Sequence, residues 1–482
     1  MSEKKLKRLS TLIDHPLSAA EDLQIGSVVY DSRKTTESSL FVAIKGFAVD
    51  GHSYLEKARQ NGAVAAVVAH INKAVDLPQY IVVDTRKALA DIAARFFQPE
   101  ISKLRIAGVT GTNGKTTTSY LIRSVFNAAG IASGLIGTIQ YEIGKRCIKA
   151  WNTTPESVDI FQMMYDMVKS GQNGCVLEAS SHGLALNRLD NIGFDIAVFT
   201  NLSQDHLDFH NDFEDYFQAK KKLFSLLRSD GKAVINLDDP YGDRLCAEIQ
   251  AEIIDFSTTR EAAVMATEWK NTLAGLHINV HTPLGPILIN SKLIGEFNVE
   301  NILATVAAGI GMNFDLETIK RGIENVNAVP GRLQPVPVKK DITVIVDYSH
   351  TPDALQKALK VLGGMTKNNV WVVFGCGGDR DKKKRPIMGK IASTYAQHVI
   401  VTSDNPRSET PATIIDAILN GISDRKNTVV RENRREAIKY ALDHALPGDT
   451  VLVAGKGHED YQEISGVKHP FDDRLVIREL MS

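Results

Sequence analysis

The sequence predicts an α/β protein whose sheets are mostly parallel, arranged as three domains. Three observations carry that reading. A glycine-rich stretch, Gly108-Val109-Thr110-Gly111-Thr112-Asn113-Gly114-Lys115-Thr116, joins an apolar run to a helical pattern. Short apolar runs alternate with helical stretches through the C-terminal third, the signature of strand–helix–strand units. A chain of 482 residues is long enough for about three domains.

Composition narrows the function classes. A hydrophobic fraction of 43% with 23% charged residues describes an ordinary globular chain. The formal net charge of -1 gives no case for nucleic acid or a membrane surface as partner. No apolar run approaches the length that spans a bilayer, and the basic N-terminal residues Lys4, Lys5, Lys7 and Arg8 precede no signal-like apolar segment. Cys147, Cys175, Cys246 and Cys376 form no Cys-x-x-Cys pair, so a disulfide framework or structural zinc is not expected and a reducing cytoplasm fits.

Residues 1–95 read as a small α/β domain. Its strand candidates are Val28-Val29, 40–44, 63–69 and 81–83, with helical stretches at 54–61 and 87–97. Polar clusters at strand ends, 31–34 and 46–52, are either solvated loops or ligand contacts.

Residues 96–331 form the second expected domain. Leu104, Ile106 and Ala107 lead into the glycine-rich turn; Leu121, Ile122, Val125 and Phe126 follow at helical spacing until Gly130. A strand–glycine turn–helix with Lys115-Thr116 is a phosphate loop: backbone N–H groups and the helix N-terminus receive phosphate, Lys115 reaches the terminal phosphates and Thr116 holds Mg²⁺. The spacing departs from the common form, with Val109 at the usual first glycine. Two further strands, 175–177 and 194–199, lead into Glu178 and into a loop containing His206. Ligands past strand ends suit an open parallel sheet, so both are candidate Mg²⁺ ligands, His206 being the odd one for a hard cation. Lys220-Lys221-Lys222 reads by default as a solvated helix face. Leu276, Ile278 and Val280 alternate with polar residues before a Pro283–Pro286 turn, an antiparallel hairpin expected at a sheet edge, and 297–310 is an apolar helix. Val329-Pro330-Gly331-Arg332 reads as a hinge.

Residues 332–482 alternate strands at 342–347, 370–374, 398–402, 428–430 and 450–454 with helices between them, a parallel sheet covered on both faces. Gly375-Cys376-Gly377-Gly378 lacks dinucleotide-fingerprint spacing. Polar clusters end four strands: Asp347–His350, Arg380, Asp404–Arg407 and Gly455–Glu459. They predict one shared ligand face.

Gly111-Thr112-Asn113-Gly114-Lys115-Thr116, Glu178-Ala179-Ser180-Ser181-His182, Asp205-His206-Leu207-Asp208, Gly331-Arg332 and Asp347-Tyr348-Ser349-His350 together resemble the Mur ligases, ATP-dependent amide-forming enzymes of peptidoglycan precursor synthesis. The resemblance runs through all three expected domains. It implies an N-terminal uridine-nucleotide domain, a central ATPase-like sheet and a C-terminal Rossmann-like domain that receives an amino acid. Asp31-Ser32-Arg33, Asn152-Thr153-Thr154-Pro155 and Asp404-Asn405-Pro406-Arg407 resemble the member that joins meso-diaminopimelate to UDP-N-acetylmuramoyl-L-alanyl-D-glutamate.

The resemblance also implies residue roles. Thr117, Asn301, Arg332, Asp347 and His350 join the loop around ATP. Tyr30, Ser32, Asn152, Thr153, Thr154, Ser180 and Arg188 match positions around the uridine-linked dipeptide. Glu178 and His206 match Mg²⁺ ligands, and Lys220 matches a lysine that the family carbamylates to N6-carboxylysine. Arg380, Asp404, Asn405, Arg407, Gly455 and Glu459 resemble the diaminopimelate pocket, with Glu459 on the distal ammonium. The guanidinium of Arg407 can hold the distal carboxylate with two parallel hydrogen bonds, and L-lysine would leave it unpaired. Ser349 stands where alanine is common in the family. The expected partners are these small molecules alone, and the expected state is a monomer. The rivals are the same ligation with L-lysine, a folate-polyglutamating ligase, and an ATP-driven switch protein.

Overall fold

The structure is a computed structural model and describes residues 6–46, 49–203 and 209–481. The chain divides into two compact units, Met1–Val264 with Ala304–Gly322, and Met265–Leu303 with Ile323–Ser482.

Beside a short antiparallel pair, Lys7–Arg8 with Gln24–Ile25, the first unit holds two larger assemblies of strands. The smaller has four parallel strands in the order Ser27–Val29, Ser39–Val42, Ala63–Val68, Gln79–Ile81. Helix Thr85–Phe97 follows it, started by Asp84, whose side chain accepts from the N–H groups of Arg86 and Lys87. The larger sheet runs Ser133–Ile136, Gly174–Glu178, Arg105–Thr110, Phe194–Phe199, Leu227–Asn236 and Glu252–Ser257, all parallel. Gln140–Ile143 and Arg146–Lys149 fold back antiparallel outside Ser133–Ile136, and Arg146–Lys149 is the outermost, largely exposed strand. Gly174–Glu178 is buried along its whole length, as a strand covered on both faces must be. Because all six main strands are parallel, their C-terminal ends share one edge of the sheet, and the polar loops of the candidate site emerge there.

The second unit contains the antiparallel strands Gly275–His281 and Ile287–Ser291, the hairpin expected from alternation, with Val264–Thr272 pairing antiparallel on the other side of Gly275–His281. Its main sheet has the order Gln334–Pro335, Thr343–Asp347, Thr450–Ala454, Val370–Phe374, His398–Val401, Thr428–Val430, parallel apart from the first pair. Successive side chains go to opposite faces, so one strand serves two cores. Val372, Phe374 and Leu452 pack with Leu355, Leu359, Met388 and Ile418; Trp371, Val373, Val451 and Val453 pack with Ile438, Leu442 and Ile477. That division explains why 370–374 and 450–454 read as unbroken apolar runs.

Among the strands outside the sequence expectation are Ser133–Ile136, Gln140–Ile143, Arg146–Lys149, Leu227–Asn236, Glu252–Ser257, Val264–Thr272, Tyr461–Ile464 and Val467–Pro470. They are short or carry polar residues, such as Leu227-Arg228-Ser229-Asp230, and are held by neighbours rather than by their own pattern. Among the described residues no helix is long and apolar enough to cross a membrane.

Candidate active site

In the first unit the site begins at the turn between strand Arg105–Thr110 and helix Lys115–Ala128. Gly111 and Gly114 take φ of +146° and +86°. A Cβ on Gly111 would overlap Thr200 Oγ1, so backbone conformation and space both require glycine there. The loop is braced by its neighbour: Thr112 N–H donates to Asn201 O (2.9 Å), Asn113 N–H to Asn201 Oδ1 (2.8 Å), and Thr200 Oγ1 to Asn113 O (2.6 Å). Thr112 Oγ1 accepts from Ser203 N–H at 2.9 Å. Lys115 Nζ donates to the loop's own carbonyls, Gly111 O at 2.7 Å and Thr112 O at 2.9 Å. The first N–H groups of the helix open toward this loop, the arrangement that receives an anion.

Thr116 and Thr117 are buried in the first turn. Thr116 Oγ1 donates to Glu178 Oε2 at 3.0 Å. Glu178 is 0% exposed, so its charge must be satisfied locally. It also accepts from Thr138 N–H at 3.0 Å and Thr138 Oγ1 at 2.8 Å. Thr138 and Thr153 hydroxyls lie 3.1 Å apart, and Thr154 Oγ1 donates to the Glu178 carbonyl at 2.7 Å while accepting from Ser180 N–H at 3.0 Å. One hydrogen-bonded chain therefore runs from the phosphate loop through Glu178 to Thr153, Thr154 and Ser180. Arg188 extends it, donating to Thr154 O (2.9 Å) and Glu156 Oε1 (2.7 Å). The Asn152 carbonyl accepts from Tyr141 OH at 2.5 Å. Tyr30 OH donates to Asp159 at 2.6 Å, and burial beside that carboxylate pushes the phenol pKa up. Ser32 is buried at the start of a short helical turn capped by Asp31, and its carbonyl accepts from Asn61 at 2.7 Å.

The three adjacent lysines part company. Lys220 is 2% exposed, with Nζ 4.3 Å from the Tyr216 ring centroid. Lys221 pairs with Glu248 (2.6 Å) and Lys222 with Asp190 (2.6 Å). The expected solvated face thus fails at Lys220, because helix Phe213–Lys221 turns that position inward. Thr116 and Glu178 offer hard oxygen donors 3.0 Å apart at a strand end, a donor set that fits Mg²⁺. Among the described residues no group of three or more His, Cys, Asp or Glu assembles. His206, with Asp205 and Asp208, lies outside the described residues.

In the second unit the adjacent strands Thr343–Asp347, Thr450–Ala454, Val370–Phe374 and His398–Val401 do bring the polar clusters to one edge. Asp404 and Asn405 are buried after His398–Val401. Asn405 Nδ2 donates to Glu459 Oε2 at 2.8 Å. Burial raises the Glu459 pKa, Lys456 opposes it and Asp404 adds to it. Gly455, at φ +114°, passes the chain beside Asp404. Arg407 Nη1 donates to Gly378 O at 2.7 Å, and its Nε lies 3.3 Å from Glu463 Oε2. Arg380 stands exposed, donating only to Asp379 O (3.3 Å).

A second group in this unit surrounds Tyr348. Arg332 lies 5.2 Å from its ring and His350 4.5 Å. Asp347 accepts from Leu333 N–H (2.6 Å) and Ser349 N–H (2.9 Å), as well as from the Ser349 hydroxyl. Burial pushes Tyr348 up to about 12 and depresses His350. Asn301 is buried and donates to Asn298 at 2.8 Å within helix Phe297–Gly311. Among the residues of these networks that sequence reasoning gave no site role are Thr138 and Lys456, the latter within the expected cluster Gly455–Glu459. Thr138 is a lone threonine with no pattern around it, whereas Lys456 carried a signal: a lysine flanked by glycines directly after a buried strand.

The class is thus an α/β protein with a phosphate-loop sheet and a second parallel sheet whose strand ends carry a charged pocket. The chain belongs to the Mur ligase family: "Mur ligase family, catalytic domain" matches residues 24–97, "Mur ligase middle domain" 109–309 and "Mur ligase, glutamate ligase domain" 331–457. It is 44% identical to UDP-N-acetylmuramoyl-L-alanyl-D-glutamate–2,6-diaminopimelate ligase of Geobacter metallireducens, covering 95% of each chain. It is 45% identical to the enzyme of that name from Geobacillus thermodenitrificans, covering 93% of each. A solved structure of an enzyme with that name superposes with a TM-score of 0.74 at 35% identity, covering 99% of each chain.

Proposed function

We propose that this chain is an ATP-dependent ligase that adds meso-diaminopimelate to UDP-N-acetylmuramoyl-L-alanyl-D-glutamate in the cytoplasm, as a monomer. The observation that carries the reading is the strand-end pocket of Asp404, Asn405, Arg407 and Glu459, in a chain so similar to enzymes named for that reaction. The uridine-nucleotide, ATP and amino-acid roles are assigned to residues 1–95, 96–331 and 332–482.

A side-chain carboxylate oxygen of the D-glutamate attacks the terminal phosphorus of ATP; the bond to ADP breaks and an acyl phosphate forms. The amine of diaminopimelate attacks the carbonyl carbon, loses a proton, and phosphate departs. Both early reactants are anionic, so positioned cations and N–H dipoles carry the electrostatics. Lys115 exchanges its two loop carbonyls for phosphate oxygens. Thr116, Glu178, His206 and a carbamylated Lys220 would hold Mg²⁺, which neutralises phosphate charge when bound. Thr153, Thr154, Ser180 and Arg188, one hydrogen-bonded chain away from Glu178, hold the dipeptide; Tyr30, Ser32 and Asn152 hold the rest of that substrate. Asn301, Arg332, Asp347 and His350 are assigned to the nucleotide on the family resemblance. Arg407 takes the distal carboxylate, Glu459 the distal ammonium, with Arg380, Asp404, Asn405 and Gly455 completing the pocket.

Phosphate release from ATP with the uridine-linked dipeptide tests the reading in three arms. Release only with meso-diaminopimelate is expected. Equal release with L-lysine would discard the specificity, and release without any amino acid would favour an ATPase or switch.

A further inference from the structure

Lys456 is a buried cation with no part in the reaction as written above. It follows strand Thr450–Ala454 and is 0% exposed. Its Nζ donates to Asn405 Oδ1 at 3.1 Å and lies 3.6 Å from Asp404 Oδ1 and 3.5 Å from Glu459 Oε2. Asn405 Oδ1 also accepts from Glu463 N–H at 2.9 Å, while its Nδ2 donates to Glu459 at 2.8 Å. The Asn405 amide therefore has its orientation fixed from both ends. A lysine withdrawn this far from water is costly unless opposite charge compensates it. Here the compensation comes from Asp404 and Glu459, two carboxylates of the amino-acid pocket. Formal charges of the three side chains sum to -1, which one substrate ammonium neutralises. Without the lysine, two carboxylates would share a buried site and one would take up a proton.

We propose that Lys456 is the positioning residue of the amino-acid pocket, gathering Asp404, Asn405 and Glu459 and keeping both carboxylates charged for a substrate ammonium. This rests on the reading of that pocket as the amino-acid site. The other groups that face Glu459 and Lys456 come from three further elements. Tyr348 precedes helix Pro352–Met365, Tyr461 opens strand Tyr461–Ile464 with its ring 5.6 Å from Lys456 Nζ, and Arg434 opens helix Arg434–His444. Burial raises both phenols, Arg434 is committed to Asp473 at 2.7 Å, and His350, whose ring interacts with Asp404, has its pKa depressed by desolvation, so each keeps its charge state at neutral and alkaline pH. Removing the Lys456 charge leaves burial and Asp404 to push Glu459 toward its neutral form.

The test is steady-state ligation by the full chain, comparing wild type with Lys456→Met and Lys456→Gln from about pH 6 to about pH 9. The variants are expected to raise KM for meso-diaminopimelate about tenfold or more, with the defect growing as pH falls, while kcat and KM for ATP stay within about threefold. An unchanged KM and pH profile, or a uniform loss of kcat at every pH, overturns the proposal. If Lys456→Met does not fold, Lys456→Gln, which keeps a hydrogen-bonding end, is judged by the same readouts. Loss of the cooperative melt in both makes the lysine a structural staple and also overturns it. Failure of wild type to ligate meso-diaminopimelate would instead sink the functional reading itself.

Discussion

Lys220 is buried with its Nζ over the Tyr216 ring, whereas the flanking Lys221 and Lys222 reach Glu248 and Asp190 near the surface. Lys220→Ala is expected to abolish ligation and to regain part of it with added short-chain carboxylic acids. Wild-type rates without additive would contradict a carbamate role. Arg407 stands in a similar position. Its Glu463 and Gly378 partners hold the guanidinium in place, so truncation removes a prepared anion site rather than a floppy side chain. Arg407→Ala should lower kcat/KM for meso-diaminopimelate by about 100-fold or more while leaving ATP affinity intact, measured by kinetics and nucleotide titration. The sequence could not separate Lys220 from Lys221 and Lys222, because burial is decided by how the helix docks. It did present Arg407 unambiguously within Asp404-Asn405-Pro406-Arg407, although Glu463 as its ion-pair partner was invisible across the intervening residues.

Elements carry a different kind of information. Gly111→Ala would force a Cβ onto Thr200 at φ +146°, a strain of about 1–3 kcal/mol, and should weaken ATP binding along with the melt. Nucleotide affinity equal to wild type would refute this account of the loop. Leu452→Ala, in a strand buried throughout, should cost about 2–5 kcal/mol by urea unfolding. The strands 370–374 and 450–454 were legible to the residue, since a two-sided core demands mostly apolar runs, and the edge strand 428–430 was legible from its two β-branched valines. Helix and strand at the phosphate loop were legible from glycine and period. Strands such as Leu227–Asn236 were not, because half of that strand is polar and its pairing with Phe194–Phe199 is a long-range event. The four strand-end clusters were found from spacing, but the link from Thr116 through Glu178 and Thr138 to Thr153 depends on which strands are neighbours.

At the scale of the molecule, acid should loosen the second unit in two stages. His350 has its pKa depressed by desolvation and by the nearby Lys384 and Arg332 charges, so its contribution is complete above its usual value and is lost as pH falls and the ring charges. Glu409 is held to about 2 by Arg385, so its contribution is complete above about 4.5 and disappears between there and about 2. Urea midpoints should therefore decline from neutral to mildly acidic pH and again below the carboxylate range, and His350→Gln should flatten the first decline alone. A midpoint that rises on acidification would refute both assignments. The outermost strand of the first unit bears on another property, the tendency of chains to stick to one another. Among the described residues Arg146–Lys149 is the outer strand of its sheet, and a second chain could add to it as a further strand. Charged side chains line that strand, Arg146 pairing with Asp166 at 2.8 Å, and charged groups on an edge disfavour a second strand docking there. Solubility can therefore depend on side chains remote in sequence from the phosphate loop, and Arg146→Ser with Lys149→Thr should scatter more light on gentle heating at unchanged ligase activity.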